Sequence, residues 1–541
     1  MESPLQFIDV NASYGAFPNK PAEARWTLEH LLDDLDLAGI AGALTHHQQA
    51  IHSEPMVGNR RLIREIEPHR NRLAPCWIAL PDIGGDFPSA SDFVREMQDS
   101  GVRAVRIELD SFNLPITRRV WKPLRDSLAS ISALCVFAVA YPRSDFSHLD
   151  ELLEIFQGLH CVLANHGWMQ WRNICALMDA HPHLHIEFSH FQANRAVEYF
   201  SERFGVNRCL FGTGLPNRSP GAARGFFDFS LRSRGDVATM AGGNLSRLLG
   251  WAPSIDPNPS LWRDAFTQDA LEGRPPSPLI IDAHCHIGHD GCTSIASDIV
   301  TPKGDADGMI ELTRRAGINK TAIMSWVAPL LMESRQGNEI VASAVRRYPE
   351  EFVGVSTINP DYDSPADIEQ VIRTYHVEMG FPGLKTFTPR QCIDYDDPLL
   401  ARWLQFGNDH HLYMVFDPKE AIAATEVLTN VATRYPRLRI HLDHCGQSWV
   451  YAKWAVGMVQ RFSNIYAQLN YTMVTNGVIE FLTGEVGAER VLFGTDAPMR
   501  DPRPQVGWLV FTRLSEDQKR RIFGENFQRQ LRQCYPNRRH I

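Results

Sequence analysis

The feature that most constrains this chain is an internal repeat whose period is about half its length. FGVNRCLFGTGLP (204–216) aligns with EVGAERVLFGTDAP (485–498), so that Gly212 falls on Gly494. At the same spacing, Asn244 in GGNLSRLL falls on Asn526 in GENFQRQL. Near the start of each half, FIDVNASYG (7–15) aligns with IIDAHCHIG (280–288). Between these anchors the order is kept: Gly58-Asn59 with Gly337-Asn338, APCWIALPD (74–82) with VGVSTINPD (353–361), GVRAVRIEL (101–109) with GFPGLKTFT (380–388), and ANHG (164–167) with DHCG (443–446). Matches that keep their order point to duplication followed by divergence. The copies are separated by a stretch with prolines at 253, 257, 259, 275, 276 and 278, a composition that breaks regular structure. The expected organisation is a first domain over 1–252, a Pro-rich linker over 253–277 and a second domain over 278–541.

Each copy alternates short β-branched or apolar runs with stretches of helical periodicity. In the second they are LIIDA, TAIMS, FVGVST, GLKTF, LYMVF, RIHLD, IYAQL and RVLFG; in the first, FIDV, IAGALT, APCWIAL, RAVRIEL, CVFAVA, CVLAN, LHIEF and RCLFGT. This alternation predicts an α/β chain of two tandem (β/α)8 TIM-barrel-like domains. An open doubly wound sheet is the competing architecture, but no GxGxxG follows the first strand of either half.

A chain of 541 residues is too long for one ordinary core, and 44% hydrophobic with 22% charged residues is a globular mix. A net charge of −9 gives no electrostatic reason to expect nucleic acid or anionic lipid as partner. No apolar run of about 18 residues predicts a membrane span, and MESPLQFIDV lacks the pattern of a secretory signal. The ten cysteines are scattered without a CxxC pair, which suggests free thiols and a cytoplasmic location.

Chemistry concentrates in the second copy, at predicted strand ends, where a barrel carries its active site. His284 and His286 are two apart, so on a strand both face one way and can bind one ion, although a structural histidine pair is the alternative. Asp496 ends an apolar strand in Gly-Thr-Asp-Ala-Pro, where a carboxylate can be a ligand, take a proton from metal-bound water, or simply cap a helix. His444 follows RIHLD and can bind metal or polarise a carbonyl; His441, three positions earlier, is expected on the opposite face as a structural residue. Lys385 can hold a substrate carboxylate or be carbamylated between two ions, and its counterpart Arg106 favours anion binding or structure. Arg390, in the loop after that strand, is a further candidate for the substrate carboxylate.

Taken together, DAHCHIG, the GNE…YPEEFVGVSTINP region, GLKTF, DHCG and VLFGTDAP resemble the amidohydrolase superfamily. The resemblance is to its amidohydrolase-related, aminocarboxymuconate-semialdehyde decarboxylase-like branch. It implies His284, His286 and Asp496 as ligands of a divalent ion, zinc first and manganese as the alternative, with His444 near the substrate. The family commonly has a ligand histidine after its fifth strand; LYMVFDP (412–418) puts Asp417 there, an oxygen ligand that favours harder metals. In the first copy the ligand positions read Asn11, Ser13 and Gly214, with His166 aligned to His444, so no metal is expected and that copy is degenerate and non-catalytic.

The leading expectation is therefore a metal-dependent hydrolase of a small, carboxylated amide, ester or lactone, attacked by metal-bound hydroxide, with His444 stabilising the oxyanion and Asp496 moving the proton. Non-oxidative decarboxylation of an aromatic or muconate-like acid in the same pocket is the alternative, and a non-catalytic small-molecule-binding protein is the alternative of another class. The two barrels are expected to pair within the chain, with homo-oligomerisation left open.

Overall fold

In a computed structural model, residues 5–18, 20–139, 146–257, 264–289, 292–293, 300–386, 395–417, 425–471 and 473–535 are described. The chain divides into two compact units, Met1–Arg263 and Asp264–Ile541. Among the described residues no helix is long and apolar enough to cross a membrane.

The first unit is an eight-stranded parallel sheet in sequential order: β1 (Phe7–Tyr14), β2 (Ile40–His47), β3 (Leu73–Ile78), β4 (Ala104–Glu108), β5 (Leu134–Ala138), β6 (Cys161–Ala164), β7 (Leu184–Glu187) and β8 (Cys209–Leu210). Val10 N donates to Phe211 O (3.0 Å) and Gly214 N to Asn11 O (2.9 Å), which draws the last strand back to the first. The strands are apolar runs rather than alternating ones because both faces are covered. Inside, Val10, Leu44, Cys76, Val136, Val162 and Leu210 form the floor of the barrel, plugged by Leu245 and Leu249 of the helix Asn244–Leu249. The outer helices bury one stripe each: Ala90–Asp99 covers the sheet with Phe93, Val94 and Met97, and Ser89 caps it by accepting from Asp92 N.

The second unit repeats this plan with β9 (Ile281–Ile287), a short antiparallel pair of β10 (Cys292–Thr293) and β11 (Val300–Thr301), then β12 (Lys320–Ser325), β13 (Phe352–Thr357), β14 (Gly383–Lys385), β15 (Tyr413–Phe416), β16 (Arg439–Leu442), β17 (Ile465–Leu469) and β18 (Val491–Phe493). Apart from β10 and β11 these form one eight-stranded parallel sheet in chain order, closed by Thr495 N and Asp496 N donating to His284 O at 3.1 and 2.8 Å. Its floor is Ile281, Met324, Val355, Tyr413 and Leu492, plugged by Phe527 and Leu531 of the helix Asn526–Gln533. Two tandem TIM-barrel-like domains are what the alternation in the sequence predicts.

The repeat extends to polar brackets that no hydrophobic pattern would require. Asn59 exchanges hydrogen bonds with the backbone of Ile78 (both 2.9 Å), as Asn338 does with Thr357 (2.8 and 2.9 Å). Asn244 Nδ2 ties Val206 O and Cys209 O (both 2.8 Å), and Asn526 Nδ2 ties Ala488 O and Val491 O (2.7 and 2.9 Å). Asp9 and Asp282 each accept from the backbone two residues on and from Thr213 or Thr495 across the closing strands; burial pushes both carboxyls up to about 7.

The segment expected as linker contains the helix Ala265–Leu271, capped by Asp264, which accepts from Thr267 N at 2.8 Å. It belongs to the second unit: Phe266 stacks on Phe523 (centroids 4.8 Å) and Lys519 Nζ binds Asp264 at 2.6 Å.

Candidate metal centre

The mouth of the second barrel is built from strand C-terminal ends. β9 brings His284 and His286 inward, buried to 1% and 2% exposure, with their Nε2 atoms 3.3 Å apart. Asp496, just past β18, places Oδ1 at 3.6 Å from His284 Nε2 and 3.1 Å from His286 Nε2. Its φ of 61° lies in the left-handed region, which aspartate tolerates better than most residues and which glycine holds at the matching Gly214, φ 74°. Gly494 is needed beside it because a Cβ there would come within 2.9 Å of His284 Cβ.

Burial holds the His284 and His286 imidazoles well below their usual range, so both are neutral at physiological pH. Two imidazoles that aim Nε2 atoms at each other across 3.3 Å, with a carboxylate on the same point, are a donor set that fits a divalent cation. The ring of Trp326, which follows β12, stacks on His286 (centroids 3.9 Å, 18°) and holds it in place.

A second group adjoins the first. Asp417, after β15, joins Asp443 and His444 with ligand atoms within 4.8 Å of one another; its buried Oδ1 accepts no hydrogen bond from the described residues and lies 3.6 Å from His444 Nδ1. His444 Nε2 is 3.4 Å from Asp443 and 3.6 Å from Asp496, so it bridges the two groups. Burial lowers the His444 pKa, against the pull of Asp443 and Asp417.

Asp443 was not singled out in the sequence. It is 1% exposed and accepts from Lys385 Nζ (3.0 Å) and Asn470 Nδ2 (2.6 Å). Burial alone would raise its pKa; His284, His444 and Lys385 outweigh that and hold it well below the ordinary carboxylate range. Lys385 is thus placed against Asp443, and Arg390 lies outside the described residues. Arg500, also unsuspected, is 4% exposed, pairs with Asp496 and lies 4.7 Å above the Tyr471 ring.

His441 is structural, but it does not face outward: it sits inside the barrel one layer below the mouth, bonded to Gln530 (2.7 Å) and stacked on Tyr413 (4.7 Å). Its strand-mate on the same face is Asp443, and His444 turns back to the mouth because the chain leaves β16 with φ 58° there.

In the first barrel the residue with His444's place and left-handed backbone is Asn165 (φ 63°), not His166, which is fully buried against Phe191. At the ligand positions, Asn11 accepts from Arg106 Nη1 (3.0 Å) and Ser13 Oγ donates to Leu215 O (2.9 Å). Arg106 also binds Glu108 (2.5 Å), so an ion pair stands at this mouth.

A family model described as Amidohydrolase matches residues 21–251 and 281–532, and the chain belongs to that family. The two matched stretches are the two repeats. Among curated proteins the chain is similar to the gamma-resorcylate decarboxylase of a Polaromonas species, 26% identical over 132 residues, which is 21% of this chain and 40% of that protein. Among solved structures it is similar to a 5-carboxyvanillate decarboxylase from Sphingomonas paucimobilis, at 17% identity over 47% of this chain and 99% of that one, TM-score 0.37. A dihydroxybenzoic acid decarboxylase from Polaromonas with bound manganese and 2-nitroresorcinol is similar at 17% identity over 48% and 98%, TM-score 0.39. The expectation of a hydrolase is corrected by the curated relative, which is named a decarboxylase. Metal-ligand motifs report how an ion is held; the fate of the substrate depends on what else surrounds the ion, and those motifs do not carry it.

Proposed function

We propose that the second unit is a metal-dependent non-oxidative decarboxylase of a small aromatic acid, and that the first unit is non-catalytic. The observation that carries the metal-dependent reading is the buried convergence of His284, His286 and Asp496, with His444 and Arg500 beside it; the choice of decarboxylation rests on the activity named for the curated relative. A divalent ion held there would withdraw charge through the oxygens of the acid and stabilise the charge that builds on the ring as the carboxylate leaves. Arg500, buried beside Asp496, would hold an anionic oxygen of the substrate, while Lys385 would serve as the counter-charge of Asp443. The bond from ring carbon to carboxyl carbon breaks, its electron pair stays on the ring, and a proton takes the vacated position. His444 and Asp496, 3.6 Å apart, are the pair positioned to deliver that proton. Trp326 and Tyr471 offer aromatic faces at the same mouth.

Two imidazole nitrogens with the carboxylate of Asp496 suit manganese as well as zinc, and the carboxylates of Asp417 and Asp443 in the adjoining group make manganese the first to test. In the test, the manganese-loaded chain is incubated with a panel of ortho-hydroxybenzoates and carbon dioxide is measured. Release matched by the phenol, and a loss of about 10²–10⁴-fold in Asp496→Asn, is expected. No carbon dioxide from any member, with the ion bound, would overturn the proposal.

A further inference from the structure

We infer that Gln468 positions His284 for the ion by fixing which of its ring nitrogens carries the proton. The role presupposes the metal site proposed above and adds to it a residue that touches neither ion nor substrate. Gln468 lies on β17, fully buried, with Oε1 2.8 Å from His284 Nδ1. Its own Nε2 donates to Ala283 O at 3.2 Å, and that bond sets the amide so that the oxygen faces the imidazole. An amide oxygen only accepts. The hydrogen of the neutral ring therefore sits on Nδ1, and the lone pair is left on Nε2, the nitrogen that faces His286 Nε2 and Asp496 Oδ1. Asp443 Oδ1, 3.4 Å from the same Nδ1, acts in the same sense. Without Gln468 only the longer contact to Asp443 remains at Nδ1, and the ring is held less firmly against the other tautomer, which puts a hydrogen where the ion belongs.

The first copy supports this from a separate set of residues. Glu187 holds the place of Gln468 on β7, and Asn11 the place of His284. Asn11 Nδ2 donates to Glu187 Oε1 at 3.1 Å. A buried acceptor on the seventh strand of each barrel thus faces the same inward position of its first strand, with Asn11 there in one copy and His284 in the other.

The test is the affinity of the full chain for manganese, read by competition with a chelating dye, so that it does not depend on turnover. Gln468→Met should weaken binding by about 10–100-fold, the usual effect of losing the partner of a ligand histidine. Gln468→Glu, which keeps an acceptor, should retain the affinity. In a His284→Ala background, Gln468→Met should cost nothing further, because the residue acts only through that ring. Should Gln468→Met fail to fold by circular dichroism, the same cycle is run with Gln468→Asn, whose amide is one methylene short of His284. Wild-type affinity in Gln468→Met, or an equal loss with and without His284, would overturn the role of Gln468 while leaving the metal site standing. A wild-type chain that takes up no ion would overturn both.

Discussion

Replacing Lys385 by methionine removes the charge that faces Asp443 and little of the volume. Both side chains are almost wholly buried, at 2% and 1% exposure, and their atoms are 3.0 Å apart. Removing one partner of such a pair strands the other and costs about 3–5 kcal/mol. Here the lower end applies, because Asp443 keeps the Asn470 hydrogen bond at 2.6 Å and has His284 and His444 each at 3.4 Å. About 3 kcal/mol in a domain of this size is roughly a 6–12 °C fall in Tm. Calorimetry of the full chain in excess chelator should show that fall in the transition of the second unit alone. Lys385→Met/Asp443→Leu should recover much of the loss, since an apolar pair replaces a buried ion pair at little cost. A single-variant loss below about 1 kcal/mol, or a double variant worse than the sum of the two, would refute the claim that Lys385 is held as the counter-charge of Asp443.

Other outcomes follow from the same geometry. Asn244→Ala and Asn526→Ala each remove two hydrogen bonds that tie the last strand's turn and should each cost about 1–3 kcal/mol, seen by denaturant unfolding in the unit that carries the change. Manganese at about a hundred times its Kd should raise the stability of the second unit by about 2.7 kcal/mol and leave the first unchanged; a shift in the first would contradict its loss of the site. Burial pushes the thiols of Cys76 and Cys209 up to about 12 and that of Cys534 to about 11, so none should react with a thiol reagent at pH 8 until the chain is unfolded; rapid labelling of the native chain at any of them would show the packing to be wrong.

The fold was legible because duplication wrote it twice. Each apolar run named from the sequence overlaps an observed strand, and the helix Ala265–Leu271 lies in the stretch whose prolines mark it as a linker. The site was legible where neighbours in sequence are neighbours in space: His284 with His286, and Asp496 in its turn. It was not legible where the barrel brings separate strands together. Gln468 meets His284 and Asp443 meets Lys385 only through the closed barrel, and neither has a hydrogen-bond partner within a few residues to mark it. One signal was available: strand alternation from His441 puts Asp443, and not His444, on the inner face. Counted back from His444 the same rule misplaces His441, because a left-handed residue at 444 ends the strand and turns its side chain back to the mouth.

Elemental analysis of the chain purified without chelator, beside a His284→Ala/His286→Ala variant, tests the central claim most directly. About one divalent ion per chain, absent from the variant, is the predicted result. An ion that survives the double substitution, or a wild-type chain that binds none after incubation with manganese or zinc, would contradict it.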